Sequence, residues 1–186
     1  MTQKANLIKS GPATSPAMIT GAAGGLGKAF AVECASRGWD LYLTDLRQDA
    51  LEALARSIER TYQVKVYTQA CDLTDAEARS FLFHKIQESG LIFSAIFNVA
   101  GLDFEGRFHD CSRGQILTIL RLNLEAALDV THAILKLRDP LIPFRIINVA
   151  SLAAFIRCPS RRPMRPRSAF CWTSRSRCGR NCAHPV

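Results

Sequence analysis

The sequence predicts an α/β fold, a doubly wound parallel sheet that is incomplete at its C-terminus. Two observations predict it. Five short apolar segments alternate with four amphipathic ones, and the first alternation turns on a cluster of glycines. Near-continuous apolar strands are buried on both faces, which an alternating strand–helix order achieves in one parallel sheet covered by helices. Right-handed crossovers then wind the sheet in both directions.

The elements follow in order. Ala17-Met18-Ile19-Thr20 is a buried strand. Gly25 to Gly38 reads as a helix, with Leu26, Phe30 and Ala31 on one face and Gly38 as its stop. Leu41-Tyr42-Leu43-Thr44 is the second strand, and Asp45 follows it. Gln48 to Tyr62 carries Leu51, Leu54, Ala55 and Ile58 at helical spacing. Val64-Lys65-Val66-Tyr67 alternates as a strand does. Thr74 is the expected cap of a helix from Asp75 to Glu88. Leu91 to Val99 reads as an apolar strand between Gly90 and Gly101. Ser112 to Leu137 is one long helical pattern, ended by Pro140 and Pro143, and Phe144 to Val149 is the fifth strand.

A length of 186 residues, 48% hydrophobic and 22% charged, suits one globular domain. No apolar run approaches the roughly 18–20 residues that span a bilayer. The polar start is not a secretory signal, and seven cysteines do not suggest a disulfide scaffold, so a reducing, cytoplasmic setting is expected. The net charge of +8 is concentrated. Residues 157–186 hold eight Arg and no Lys, Asp or Glu, and the remainder is balanced. The expected organisation is a flexible leader at 1–16, a five-stranded α/β domain at 17–156 and an Arg/Cys/Pro-rich, disordered tail at 157–186.

Thr20-Gly21-Ala22-Ala23-Gly24-Gly25-Leu26-Gly27 joins the first strand to its helix. Glycines let a phosphate approach bare main chain, permit positive φ and allow close helix–strand contact. The helix N-terminus offers free N–H groups and partial positive charge to a pyrophosphate. Asp45, at the end of the second strand, suits the ribose hydroxyls and would repel a 2′-phosphate, which favours NAD. Arg47 nearby keeps NADP possible.

This pattern resembles the short-chain dehydrogenase/reductase family, whose fold is of the Rossmann type. TGAAGGLG is similar to its TGxxxGxG cofactor turn. Asn98-Val99-Ala100-Gly101 looks like its NNAG motif, with Val for the second Asn. Cys71-Asp72-Leu73 matches the Asp that meets the adenine ring, and Arg121-Leu122-Asn123-Leu124 matches the Asn of the long fourth helix. Ile147-Asn148-Val149-Ala150-Ser151 matches the strand end that bears the active-site Ser. The bland alternatives are a helix-capping role for Asp72, a strand-end hydrogen bond for Asn98 and a turn role for Ser151.

The resemblance implies hydride transfer between a nicotinamide dinucleotide and a small-molecule carbonyl or alcohol. It implies that Ser151 holds the substrate oxygen and that Asn123 positions a water in the proton path. Thr20, Gly21, Gly24, Gly25, Leu26, Gly27, Asp45, Asp72, Leu73, Asn98, Ala100 and Gly101 would hold the cofactor. The family's Tyr, with a Lys four residues later, should follow Ser151 by about a dozen residues. No Tyr occurs after Tyr67 and no Lys after Lys136, so this chain is expected to be inactive as written.

The tail begins in the middle of that missing motif, which suggests a reading-frame slip after about Phe155. Taking the third base of each codon with the first two of the next tests the idea. Met164 must be ATG, so its AT, with the last base of Pro163, permits Tyr. The same frame permits Ala-Ala-Ser-Lys next, and the Tyr falls 13 positions after Ser151. The alternative is a non-catalytic dinucleotide-binding or interaction protein whose arginines, with Phe170 and Trp172, meet nucleic acid. Cys171, Cys178, Cys182 and His184 lack the close pair of a zinc site, and no metal is expected. His84, His109 and His132 read as surface residues, and Cys34, Cys71 and Cys111 as small core or loop residues. Phe104 and Phe108 hint at an apolar ligand. The intact family fold implies a homo-oligomer, whereas this chain is expected to expose an apolar fifth-strand edge and to be poorly soluble.

Overall fold

The structure is a computed structural model that describes residues 15–104 and 108–151. The side chain of Phe108, most of the leader and the tail lie outside the described residues. So do the zinc, nucleic-acid and frame readings placed on that tail.

The elements are β1 (Ala17–Thr20), α1 (Gly25–Ser36), β2 (Leu41–Asp45), α2 (Gln48–Tyr62), β3 (Val66–Ala70), α3 (Ala76–Glu88) and β4 (Ala95–Asn98). A short 3-10 turn at Phe108–Asp110 precedes α4 (Arg113–Leu120), a π-helical segment (Arg121–Ala126), α5 (Ala127–Lys136) and β5 (Arg145–Asn148). The strands form one parallel sheet in the order β3-β2-β1-β4-β5.

Alternate side chains of each strand face opposite layers. Ile19, Leu43 and Phe97 meet Ala31, Leu51 and Ile58 of α1 and α2 on one face. Met18, Tyr42 and Ile96 meet Leu82, Ile86, Val130 and Ile134 of α3 and α5 on the other. Among the described residues no helix is long and apolar enough to cross a membrane.

Several elements differ from their sequence expectation. α2 ends on Gln63 in the left-handed region (φ 53°), so Val64 and Lys65 are connector and β3 starts at Val66. The Lys65 N–H donates to the Asp40 carboxylate at 2.8 Å rather than to a ladder. In α1 the buried positions are Gly27, Ala31, Cys34 and Ala35, while Leu26 is half exposed. Asp75, not Thr74, caps α3, accepting from the Glu77 N–H at 2.9 Å. β4 is shorter than its apolar run, because Phe93 pairs as a single bridge with Arg138. The long helical pattern is broken by the π turn, whose i→i+5 bonding widens the helix at Asn123.

Candidate functional site

β1 and β4 are neighbours, yet α1 leaves β1 for one face and the chain after β4 returns through α5 on the other. Divergent connections leave a crevice at the C-terminal ends of such strands. A cleft of about 330 Å³ opens there, within the range of small-molecule sites. Gly21, Asp45, Asp72, Leu73, Gly101 and Leu102 are among its walls.

The glycine turn is built by sterics. Gly21 has φ +65°, and a Cβ on it would lie 2.7 Å from the Ala100 Cα. A Cβ on Gly27 would lie 2.1 Å from the Gly21 carbonyl oxygen. A Cβ on Gly25 would meet nothing within 4 Å. Gly21 and Gly27 therefore let backbone pass backbone, whereas Gly25 keeps a space open. The first i−4 bond of α1 runs from the Lys28 N–H to the Gly24 carbonyl, and Gly24 supplies no capping side chain. The amides of Gly25, Leu26 and Gly27 stand outside that ladder and form an anion-receptive end.

Thr20 is framework. Its hydroxyl oxygen accepts from the Val99 and Ala100 amides, both at 3.1 Å, and its O–H donates to the Phe97 carbonyl at 3.4 Å. Asp45 is held against the turn, its carboxylate accepting from the Ala23 N–H at 3.0 Å and the Arg47 N–H at 3.2 Å. The Arg47 guanidinium donates to the Ala23 carbonyl at 2.9 Å. Asp72 accepts from the Thr74 N–H at 2.9 Å and hydroxyl at 2.7 Å, so it shapes the loop before α3 without capping it.

Asn98 is buried, and its Nδ2 donates at 2.8 Å both to the Thr131 hydroxyl and to the side-chain Oδ1 of Asn148 in β5. Its Oδ1 has no hydrogen-bond partner among the described residues. Asn98 also lines a cavity of about 10 Å³ with Thr20 and Leu73, room for about one water. Asn123 makes a reciprocal pair with Leu102, accepting from its N–H at 3.0 Å and donating to its carbonyl at 2.9 Å. This pair pins the chain after Gly101 to the π turn. Ser151 is half-buried and follows Val149, whose N–H donates to the Asn98 carbonyl at 3.0 Å.

The structure thus gathers Gly21, Asp45, Asp72, Leu73, Ala100, Gly101 and Leu102 around one cleft, while Gly24 to Gly27 are not among its lining residues; Asn98 lines the small adjoining cavity and Asn123 holds Leu102. Sequence reasoning missed Thr131 and Arg79. Arg79 is buried among α3, Glu125 and Asp129. Burial works against its charge, but hydrogen bonds to Asp129 and Glu125 outweigh that and hold its pKa above the ordinary value. Its three-residue spacing from Leu82, on the buried stripe of α3, was a readable signal.

The Cys34 and Cys71 thiols are not poised to react. Burial, with Glu33 adding and Arg37 opposing, pushes Cys34 up to about 12. Burial first, then the Asp72 charge, pushes Cys71 up to about 11. Burial and the neighbouring Cys71 push the Tyr42 phenol up to about 12. Tyr42 stacks on Tyr67, with ring centroids 6.4 Å apart.

Residues 15–163 match the family model described as short chain dehydrogenase. The chain is 28% identical over 149 residues to a very-long-chain 3-oxoacyl-CoA reductase-A of Danio rerio, covering 77% of this chain and 46% of that protein. It is 30% identical over 138 residues to sulfoacetaldehyde reductase 2 of Chromohalobacter salexigens, covering 73% and 54%. The chain thus spans about half the length of these curated relatives. Among solved structures, a short-chain dehydrogenase from Sphingobium yanoikuyae in complex with NADPH superposes with a TM-score of 0.66 at 25% identity, covering 75% of this chain and 55% of that one.

Proposed function

Because the chain belongs to the short-chain dehydrogenase family, we propose that residues 17–156 are a nicotinamide-dinucleotide-binding domain of a carbonyl or alcohol oxidoreductase. The observation that carries the reading is the open space over Gly25 beside the ladder-free amides of Gly25, Leu26 and Gly27. With no side chain at Gly25, a diphosphate would meet bare main chain there. The Sphingobium relative holds NADPH, and the relatives named above are reductases, which supports the same class of chemistry here.

Bound there, the nicotinamide would supply the hydride. The chain's residues would do the rest. Gly24 to Gly27 would receive the diphosphate, and Thr20 with Gly21 would hold that turn against Ala100. Asp45 would accept from the ribose hydroxyls, which favours NAD, and Arg47 beside it admits NADP. Asp72 and Leu73 would wall the adenine end, and Asn98, Ala100 and Gly101 the nicotinamide end. Ser151 would donate a hydrogen bond to the substrate oxygen. Asn123 would hold Leu102 in place and position a water for proton exchange.

A proton donor for the substrate oxygen is missing from this set. The three tyrosines are Tyr42, Tyr62 and Tyr67. Two stack on each other in the β2–β3 layer and the third ends α2, so none neighbours β5. The 186-residue chain would bind dinucleotide weakly at best and not turn over, its Tyr and Lys having been lost to a frame slip near Phe155.

The test is a titration of the full chain with NADH and NADPH, followed by nicotinamide fluorescence, together with a carbonyl-reduction assay. Saturable binding without turnover is expected, and restoration of the alternative frame should bring activity. A folded chain that binds neither nucleotide would overturn the assignment, and turnover by the 186-residue chain would overturn the inactivity.

A further inference from the structure

Resting on that dinucleotide reading, we propose that Arg79 is a positioning residue that clamps the two walls of the cleft to each other. One wall is the loop at Leu73 and the other is Leu102, held by Asn123 of the π turn.

Arg79 lies on the same stripe of α3 as Leu82 and Ile86, a place where a charge is costly unless it is paired and hydrogen-bonded. It finds three, on three segments. Its Nη1 donates to the Leu73 carbonyl at 2.8 Å, its Nε to the Asp129 carboxylate of α5 at 2.7 Å, and its Nη2 to the Glu125 carboxylate. Leu73 and Leu102 both line the cleft. Glu125 stands two residues after Asn123 in the same π turn, and Asn123 bonds Leu102 in both directions. A continuous path therefore runs from one wall to the other through a single guanidinium. The planar fork suits three divergent acceptors, which an ammonium on the same stem cannot reproduce. Glu125 and Asp129 are each about half exposed, so the carboxylates lean inward to reach the buried cation.

The experiment is amide hydrogen exchange on the full chain and on Arg79→Lys, Arg79→Met and Glu125→Gln, with and without ADP-ribose. Leu102 is the reporter, and Ile19 in the sheet is the internal control. All three variants should exchange Leu102 faster while Ile19 holds. ADP-ribose affinity should fall on the order of tenfold or more in Arg79→Met, the scale of a lost charge-assisted hydrogen bond. Arg79→Lys should recover melting temperature better than Leu102 protection. Unchanged Leu102 exchange, or acceleration shared equally by Ile19, overturns the clamp. A Leu102 response in a chain that binds no ADP-ribose upholds the clamp and sinks the dinucleotide reading instead.

Discussion

β4 and β5 are adjacent parallel strands of equal length, yet they live in different surroundings. All four residues of β4 are buried, whereas β5 alternates between half-buried and exposed. The register partners Ile96 and Ile146 make the contrast sharpest, at 0% and 45% exposed. Val130 and Ile134 of α5 seal the face over Ile96, while α4 contributes no buried residue. The outer edge of β5 has no paired strand among the described residues. The half of the molecule that carries the glycine turn closes its own core. Among the described residues, the half that carries β5 does not.

The largest effect should come from Gly27→Val, which forces carbon into the Gly21 carbonyl. It is expected to cost about 3 kcal/mol or more and to abolish dinucleotide binding, read by denaturant melts and nucleotide titration. Next, Ile96→Ala should cost about 2–5 kcal/mol, the range for a buried Ile, while Ile146→Ala should cost well under half as much. Equal costs would erase the contrast between the strands. Thr20→Val would leave the Val99 and Ala100 amides without their acceptor, for a loss of about 1–3 kcal/mol by urea unfolding.

Gly25→Ala separates folding from binding. Open space at the site and the better helix propensity of Ala should leave stability unchanged or raised by up to about 1 kcal/mol. Nucleotide affinity should fall all the same, because the added methyl enters the diphosphate's space. The smallest effect concerns pH. Cys34 ordinarily ionises near 9 and is raised to about 12 in the fold. The folded state therefore keeps a proton that the unfolded chain gives up, so this contribution is full below about pH 9 and is lost as pH rises toward 12. Urea midpoints at pH 8 and pH 10 should converge in Cys34→Ala relative to the parent chain.

The parts of this picture that were legible in the sequence are those where one local rule acts alone. Ala17–Thr20 and Gln48–Tyr62 fall where periodicity placed them, since nothing competes with burial there. Leu26 is outside the core because small Gly27 and Ala31 make the helix–sheet contact instead. β3 slid two residues because a left-handed Gln63 and the Asp40 carboxylate claim the chain first. The π turn left only a faint trace, an Asn in a helix interior, whose reason is the reciprocal pair with Leu102. Of the candidate site, the glycines and Asp45 were readable from spacing. The division of labour among the glycines was not, since it depends on how near Ala100 comes to Gly21 across the sheet.

The central claim is that a dinucleotide's diphosphate rests on bare main chain where β1 gives way to α1. Amide resonances of residues 20–27, followed during NADH and NADPH titrations of the folded chain, test it directly. Saturable shifts centred on Gly25, Leu26 and Gly27 are expected with at least one of the two. Amides that stay put with both, in a chain whose β1 and β4 resonances show it to be folded, would contradict it.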